Sequence, residues 1–504
     1  MMTEILKGGV TASSEAAAEA GAAILRSGGN AVDAAVATAL ASCVADPCNT
    51  GIGGFGGHMV IARSGADPVC IDFGPWLPAH SSEQRTRSQT KFGPGASVIP
   101  NVVAGLARAL KGHGSKSWSE ISAPAIALAR NGVVLNSTLK RAFSEVEDAS
   151  FVQDCFSFGQ ARPGDESSAQ VMYQPKLAAT LEEIAKRGPE WFYEGPIGDR
   201  ACEVFQNSGY EVARKEWAEA PQSITESPAP SFEIAGQSFY SAPLARSGSP
   251  SLFATVAAGC KLSGDNLELP ATMAAWAGMI ASSWAFRFGT PDGNDFRSVS
   301  TQEWVGKALA FQERRELPEN IGHTCHLNAA DRHGTLVAMT LTHGPFWFGG
   351  RWAIPDAGII MNAGMPLFSG APAVMSGERA LGVTNMAPTV ARLRNGATIA
   401  IGCPGARRIP TIIGLVLGRH LFGSMPLQRA VSAVRFHAET NLSASIERDR
   451  ASEAVVEAFR GKFAKVNSEV AESYYGPLTA IRREMDGHIG FGLDDRWKGT
   501  GLSA

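Results

Sequence analysis

The stretch CNTGIGGFGG, residues 48–57, carries the spacing G-x-G-x-x-G at Gly51, Gly53 and Gly56. Such glycines cradle a phosphate when a strand runs into them and a helix leaves them, because the phosphate then meets the positive end of the helix. Other residues with chemical potential are isolated. Thr324 stands just before a strand-like run, where a threonine is ordinarily structural. Its hydroxyl is a weak nucleophile at neutral pH and needs a base. Arg407 offers a planar fork that suits a carboxylate, whether from a substrate or from a local Asp or Glu. His437 in VRFHAE has no companion, and neither H-E-x-x-H nor C-x-x-C occurs, so no metal site is expected.

The elements around the glycines decide between a phosphate loop and a packing loop. Upstream, SSEAAAEAGAAILRSGGNAVDAAVATALASCVADP reads as two alanine-rich helices. Ser13 or Ser14 caps the first and Asn30 the second; Gly28 and Gly29 end the first, and Asp46-Pro47 ends the second. Downstream, HMVIAR reads as a strand. The order helix, glycine loop, strand is the reverse of the dinucleotide motif, so no cofactor is expected there. Further helices are expected in NVVAGLARALKGHG, WSEISAPAIALARNG and PKLAATLEEIAKRG, the last stopped by Gly188-Pro189. From residue 323 strands dominate. HTCHLNAADRHGTLVAMTLTHG folds back at Asp331–Gly334, and RNG and MDG mark two more hairpins. A helix-rich first part and a strand-rich last part predict an α+β layered fold, with helices packed on stacked antiparallel sheets.

The 504 residues suffice for a large core, and 44% apolar with 18% charged residues is a globular composition. A net charge of −3 supplies no basic stripe for nucleic acid. No apolar run is long enough to span a membrane, and the start MMTEILKGGVTASSE lacks the apolar core of a signal peptide. A cytoplasmic location is therefore the expectation, with the eight scattered cysteines as free, mostly buried thiols.

Taken together, GGVTASSEAAAEAGAAILRSGGNAVDAAVATALA, GIGGFGGHMVI, VAGLARAL, FYEG, YSAP, HTCHLNAADRHGTLVAMTLT, NMAPT and GCPGARR follow one another along nearly the whole chain. In this order they resemble the γ-glutamyltranspeptidase family of N-terminal-nucleophile hydrolases. The resemblance implies a four-layer αββα sandwich and self-cleavage between His323 and Thr324. A helix-rich large subunit, 1–323, and a strand-rich small subunit, 324–504, would stay together as one folded heterodimer, with further oligomerisation left open. It implies Thr324 as nucleophile, using its own freed α-amino group as base, which has an unperturbed pKa of about 7.7–8.0. It implies Thr342 as the helper that orients amine and hydroxyl. It implies Gly405 and Ala406, in Gly402-Cys403-Pro404-Gly405-Ala406, as backbone donors of an oxyanion hole, provided the local φ suits alanine. In the same comparison the GIGGFGG loop is a packing loop near the active cleft.

Several positions depart from the family pattern. Glu83 falls near the arginine that holds a γ-glutamyl carboxylate. In NAGMPLFS, which begins at Asn362, Pro366 and Leu367 replace the two aspartates that hold the amino group. Thr384 and Asn385 replace a serine pair. A zwitterion needs a partner at each end, because an unpaired buried charge costs several kcal/mol. The specificity pocket is thus rebuilt around Asn362, Leu367, Thr384, Asn385 and two new features. Phe346, Trp347 and Phe348 wall an apolar pocket or join the core, and Arg407 binds a substrate carboxylate or pairs locally. The expected activity is hydrolysis of an amide, or transfer of its acyl group, on a small molecule other than an ordinary γ-glutamyl compound. The alternatives are cleavage of a C–C bond beside a keto or oxalyl group, and an unprocessed, non-catalytic homologue.

Overall fold

Asp331 closes the central hairpin. Its Oδ1 accepts from the N–H groups of His333 and Thr335 at 2.8 and 3.0 Å, and Gly334 takes a φ of +87°, which a side chain would resist. The two arms, His323–Ala330 and Leu336–Gly344, sit in the middle of a seven-stranded sheet. In a computed structural model of the protein the described residues are 8–78, 91–146, 150–160, 169–290, 293, 296, 299–312, 322–368, 374–376, 379–440, 442–470, 474–496 and 499–504. The sheet order is Thr500–Ser503, Gly9–Ala12, His323–Ala330, Leu336–Gly344, Gly56–Ala62, Val69–Asp72 and Thr225–Pro228. All of its neighbouring strands are antiparallel.

A second, six-stranded sheet runs Ile489–Leu493, Thr479–Arg483, Thr398–Gly402, Thr389–Arg392, Gln237–Tyr240 and Ser231–Ile234. The two sheets face each other across Val60, Ala338, Val390, Ala400 and Ile481, all fully buried. Helices Glu15–Arg26 and Ala31–Ala45 cover the outer face of the first sheet, with Trp118–Asn131 packed on Ala31–Ala45; Ser249–Leu262 and Arg408–Leu421 cover the second, with Pro270–Gly289 packed on Ser249–Leu262. The layers are therefore α, β, β, α, as expected. Alternation along each strand sends one parity of side chains to the helices and the other to the facing sheet.

Local chemistry explains the first two helices. Asn30 accepts from Val32 and Asp33 N–H at 2.9 and 3.0 Å, and Asp33 returns a bond to Asn30 N–H, a complete capping box. Every residue of Ala31–Ala45 is buried, which its alanines permit by letting neighbouring helices approach closely. Ser14 does occupy the cap position of Glu15–Arg26, but its side chain makes no capping bond. Gly9–Ala12 and Thr500–Ser503 are strands that the sequence did not announce. Four residues are too few to display an alternating pattern, and they are strands because a central sheet receives them. The eight cysteines are free thiols, six of them buried. Among the described residues no helix is long and apolar enough to cross a membrane.

Candidate active site

Thr324 lies where the hairpin register slips. His323 pairs with Gly344 but Cys325 pairs with Leu341, so Thr324 stands opposite a bulge formed by Thr342 and His343. A bulge re-aims a side chain and loosens local pairing. Thr324 and Thr342 are both buried. The Thr342 hydroxyl donates to the carbonyl oxygen of His323 and accepts from Gly344 N–H at 2.8 Å. That carbonyl belongs to the peptide bond whose nitrogen is Thr324's own. The structure thus puts a hydrogen-bond donor on the oxygen that would become negative if this bond were attacked.

The neighbouring residue serves the opposite face. Cys325 Sγ lies 3.8 Å from Ser13 Oγ, beneath the helices. Burial and then Asp46 push its thiol up to about 12, so it holds its proton at neutral pH and is inert. His326 returns to the sheet side. Its Nε2 is 3.0 Å from Asn328 Oδ1 and its Nδ1 2.8 Å from Thr340 Oγ1. Asn328 spends its amide N–H groups on Thr11 Oγ1 and the Thr479 carbonyl, each at 3.0 Å. Its Oδ1 is therefore an acceptor, the His326 proton sits on Nε2, and Nδ1 accepts from Thr340. Burial holds the His326 pKa down at about 3, which keeps the ring neutral. A Cβ at Gly402 would fall 2.2 Å from this ring, which is why the second sheet offers a glycine there.

From Gly402 the chain turns through Cys403–Arg407 into helix Arg408–Leu421. Gly405 has φ +132° and Ala406 φ +55°. The second value is left-handed, so the alanine is tolerated there at a cost of about 1–2 kcal/mol rather than freely accommodated. Gly322 runs against this loop: a Cβ there would meet Ala406 Cβ at 2.9 Å. The loop expected to form an oxyanion hole is thus next to the segment that precedes Thr324.

The GIGGFGG loop lies behind Thr342. A Cβ at Gly54 would sit 2.8 Å from the Thr342 carbonyl oxygen, and one at Gly56, φ +135°, 1.7 Å from that of Phe73. These glycines admit backbone, and a strand, not a helix, follows them.

The other expected residues divide. Asn362 accepts at Oδ1 from Val98 and Gly364 N–H, both at 3.0 Å, and donates to the Gly53 and Val98 carbonyls at 2.9 Å. Its polar capacity is used in tying three loops together behind the site. Leu367 sits half-buried in the short helix Met365–Phe368, against the second-sheet core. Thr384 bonds His58 Nε2 and the Arg246 carbonyl, both at 3.1 Å, in a buried group where Arg246 also pairs with Asp72 at 2.7 Å. Asn385 puts its backbone carbonyl against Gly248. Arg407 is buried and pairs with Glu439 at 3.2 Å. Burial would raise the Glu439 carboxyl, but His437, Arg407 and Arg408 outweigh it and keep it low. His437 Nε2 is 3.3 Å from the same carboxylate. Glu83 lies outside the described residues.

Trp347 faces the site, with its ring 5.0 Å from that of His323. Phe348, also in the left-handed region, turns away into a cluster with Phe143 and Phe151. Two arginines that the sequence reading did not single out border Trp347 and His323. Arg141 lies over the Trp347 ring at 5.4 Å. Arg351 lies over Phe92 at 4.2 Å, and Phe92 meets Phe346 edge to face. Burial first, then Arg408, Arg141 and Arg351, lower the His323 pKa to about 4. Arg351 is four residues past Trp347, a signal of a kind; Arg141 gave none.

The family profile of gamma-glutamyltranspeptidase matches residues 17–276 and 294–504. The chain is 28% identical over 469 residues to a protein of Pseudomonas aeruginosa named glutathione hydrolase proenzyme, covering 85% of this chain and 82% of that one. It is 27% identical over 506 residues to the capsule biosynthesis protein CapD proenzyme of Bacillus anthracis, covering 98% and 90%. Among solved structures, a cephalosporin acylase from Bacillus halodurans shares the fold with a TM-score of 0.82 at 21% identity, over 99% of this chain and 96% of that one. With the profile running through both the helix-rich and the strand-rich parts, and with the layered sheets that carry Thr324, this chain belongs to the gamma-glutamyltranspeptidase family of N-terminal-nucleophile hydrolases.

Proposed function

We propose that the protein is a precursor that cuts itself between His323 and Thr324 and then hydrolyses an amide with Thr324. The observation that carries this reading is the Thr342 hydroxyl on the His323 carbonyl oxygen. In the first reaction Thr324 Oγ1 attacks the His323 carbonyl carbon and the C–N bond breaks, leaving an ester. Water then hydrolyses the ester, giving a His323 carboxylate and a Thr324 amine. In the second reaction that amine takes the hydroxyl proton as Thr324 attacks a substrate carbonyl and passes it to the departing nitrogen as the C–N bond breaks; a second water then hydrolyses the ester and releases the acid. The amine has an unperturbed pKa of about 7.7–8.0, close to the working pH of a general base.

Cleavage would not separate the pieces. The first sheet alternates Gly9–Ala12, from 1–323, with the two hairpin arms, and then returns to Gly56–Ala62. Strands Gln237–Tyr240 and Thr389–Arg392 likewise join the pieces in the second sheet. Ordinary γ-glutamyl compounds fit poorly, since Leu367 offers their ammonium no partner. Mass spectrometry of the purified protein tests the reading. Fragments 1–323 and 324–504 are expected from the wild type, and intact chain from Thr324→Ala. A full-length wild type, or a processed Thr324→Ala, overturns it.

A further inference from the structure

An oxyanion hole works only if its donors are already in place when the substrate carbonyl gains charge. The conformation of the loop 402–407 works against that. Gly405 and Ala406 have φ of +132° and +55°, and at Ala406 the Cβ resists the left-handed turn. Contacts from outside the loop must therefore hold it. At its Pro404 end Gly476 packs so closely that a Cβ there would lie 2.1 Å from the Pro404 carbonyl oxygen, and Arg435 donates to the Gly476 carbonyl at 2.9 Å. At its other end the chain enters helix Arg408–Leu421 through Arg407, whose guanidinium meets a Glu439 oxygen at 3.2 Å. The second Glu439 oxygen is 3.3 Å from His437 Nε2, and His437 Nδ1 is 2.9 Å from the Thr411 hydroxyl in the first turn of the same helix. His437 thus donates to the carboxylate and accepts from Thr411. Arg435, His437 and Glu439 alternate along strand Phe436–Thr440 and the residue before it, while Phe436 and Ala438 between them are buried in an apolar cluster. One strand therefore carries contacts to both ends of the loop.

We propose that Glu439 is a positioning residue for the oxyanion loop: through Arg407 it holds Ala406 in its left-handed turn, so that the Gly405 and Ala406 N–H groups stay aimed at the substrate carbonyl. The proposal rests on the reading of Thr324 as nucleophile and of these two groups as its oxyanion donors. It gives Arg407 a task other than contact with a substrate carboxylate. Without the Glu439 charge the Arg407 end of the loop loses its tie to His437 and Thr411. Ala406 can then relax toward right-handed backbone, which rotates its N–H away from the site. An ion pair that only stabilises the fold would be indifferent to the residue at 406. A clamp on a strained turn is not, because Ala406→Gly removes the steric cost of that turn and with it most of the need for the clamp.

The test is a double-mutant cycle on the self-cleaved enzyme with p-nitrophenyl butyrate, an activated ester, after subtraction of the rate of the Thr324→Ala protein. Glu439→Gln should lower kcat by about tenfold to a hundredfold, short of the loss of a whole donor, and leave KM within about threefold. In an Ala406→Gly background the same change should lower kcat by about threefold or less. Circular dichroism checks that each variant folds. Should Glu439→Gln fail to fold, Arg407→Met combined with Glu439→Leu removes both charges and leaves neither buried alone; it should show the same loss and the same dependence on Ala406→Gly. A Glu439→Gln kcat equal to wild type, equal losses in the two backgrounds, or a loss confined to KM overturns the proposal. A self-cleaved wild type no faster on the ester than Thr324→Ala overturns instead the reading of Thr324 as nucleophile.

Discussion

The strand His323–Ala330 has two faces with opposite duties. Toward the helices it shows Cys325, Leu327 and Ala329, all fully buried among the alanine-rich helices. Toward the second sheet it shows Thr324, His326 and Asn328, equally buried but polar. The helix face is held by dispersion and exclusion of water, which are tolerant of detail. The sheet face is held by specific partners drawn from far along the chain: Thr11, Thr340, Thr479 and Gly402. One strand thus separates stability from chemistry by parity alone. Cys325, next to the proposed nucleophile Thr324, is inert because a single step along the strand turns it to the other face.

The largest test of this division is at its first residue. Thr324→Ala should abolish self-cleavage, while Cys325→Ala should leave it intact; a gel reads both, and an uncleaved Cys325→Ala would erase the distinction between the faces. Next comes Thr342→Val, which keeps shape and loses the hydroxyl on the His323 carbonyl. Self-cleavage should slow by about 10²–10³, the usual effect of losing one oxyanion donor. A time course of band conversion measures it, and wild-type speed would show that the bond is only structural.

Smaller effects compare the faces in stability. Leu327→Ala on the helix side should cost about 2–5 kcal/mol in denaturant unfolding, with self-cleavage of the folded protein retained. Asn328→Ala on the sheet side should cost about 1–3 kcal/mol, because it strands the His326 proton and the Thr11 and Thr479 hydroxyls. It should also disturb cleavage, which Leu327→Ala should not. A further stability effect is with pH. Burial depresses His326 and His343 to about 3 from an ordinary 6.5. Between those values the unfolded imidazoles bind protons and the folded ones do not. Stability is therefore fully present above 6.5 and falls as pH drops toward 3, by up to about 1.4 kcal/mol per pH unit for each histidine. His326→Gln should flatten that fall in urea titrations across the window, and an unchanged slope would mean that the ring is protonated in the folded state.

Much of the architecture was readable because its causes are local. The capping box at Asn30, the turn at Asp331–Gly334 and the stop at Gly188 each depend on residues within a few positions. The glycine loop was legible from order alone, since a strand rather than a helix follows it. Thr324 stood out only through resemblance, because one threonine before a strand carries no local signal. Arg407 shows the limit from the other side: an exposed fork and a buried ion pair look identical in GCPGARR, and Glu439, which pairs with it, is 32 residues away.

By itself, the sequence determined the main helices, turns and hairpins, and that the chain has this family's order of landmarks. These follow from periodicity, capping and backbone preference, which act over a few residues. Only the tertiary structure decided the rest. It placed Gly322 on Ala406, Thr342 on the His323 carbonyl, Arg141 over Trp347 and Arg351 over Phe92. It also added Gly9–Ala12 beside the strand of Thr324, and Thr500–Ser503 beside Gly9–Ala12. Those arrangements join residues tens to hundreds of positions apart, and their energies exist only once the two sheets have stacked and excluded water between them.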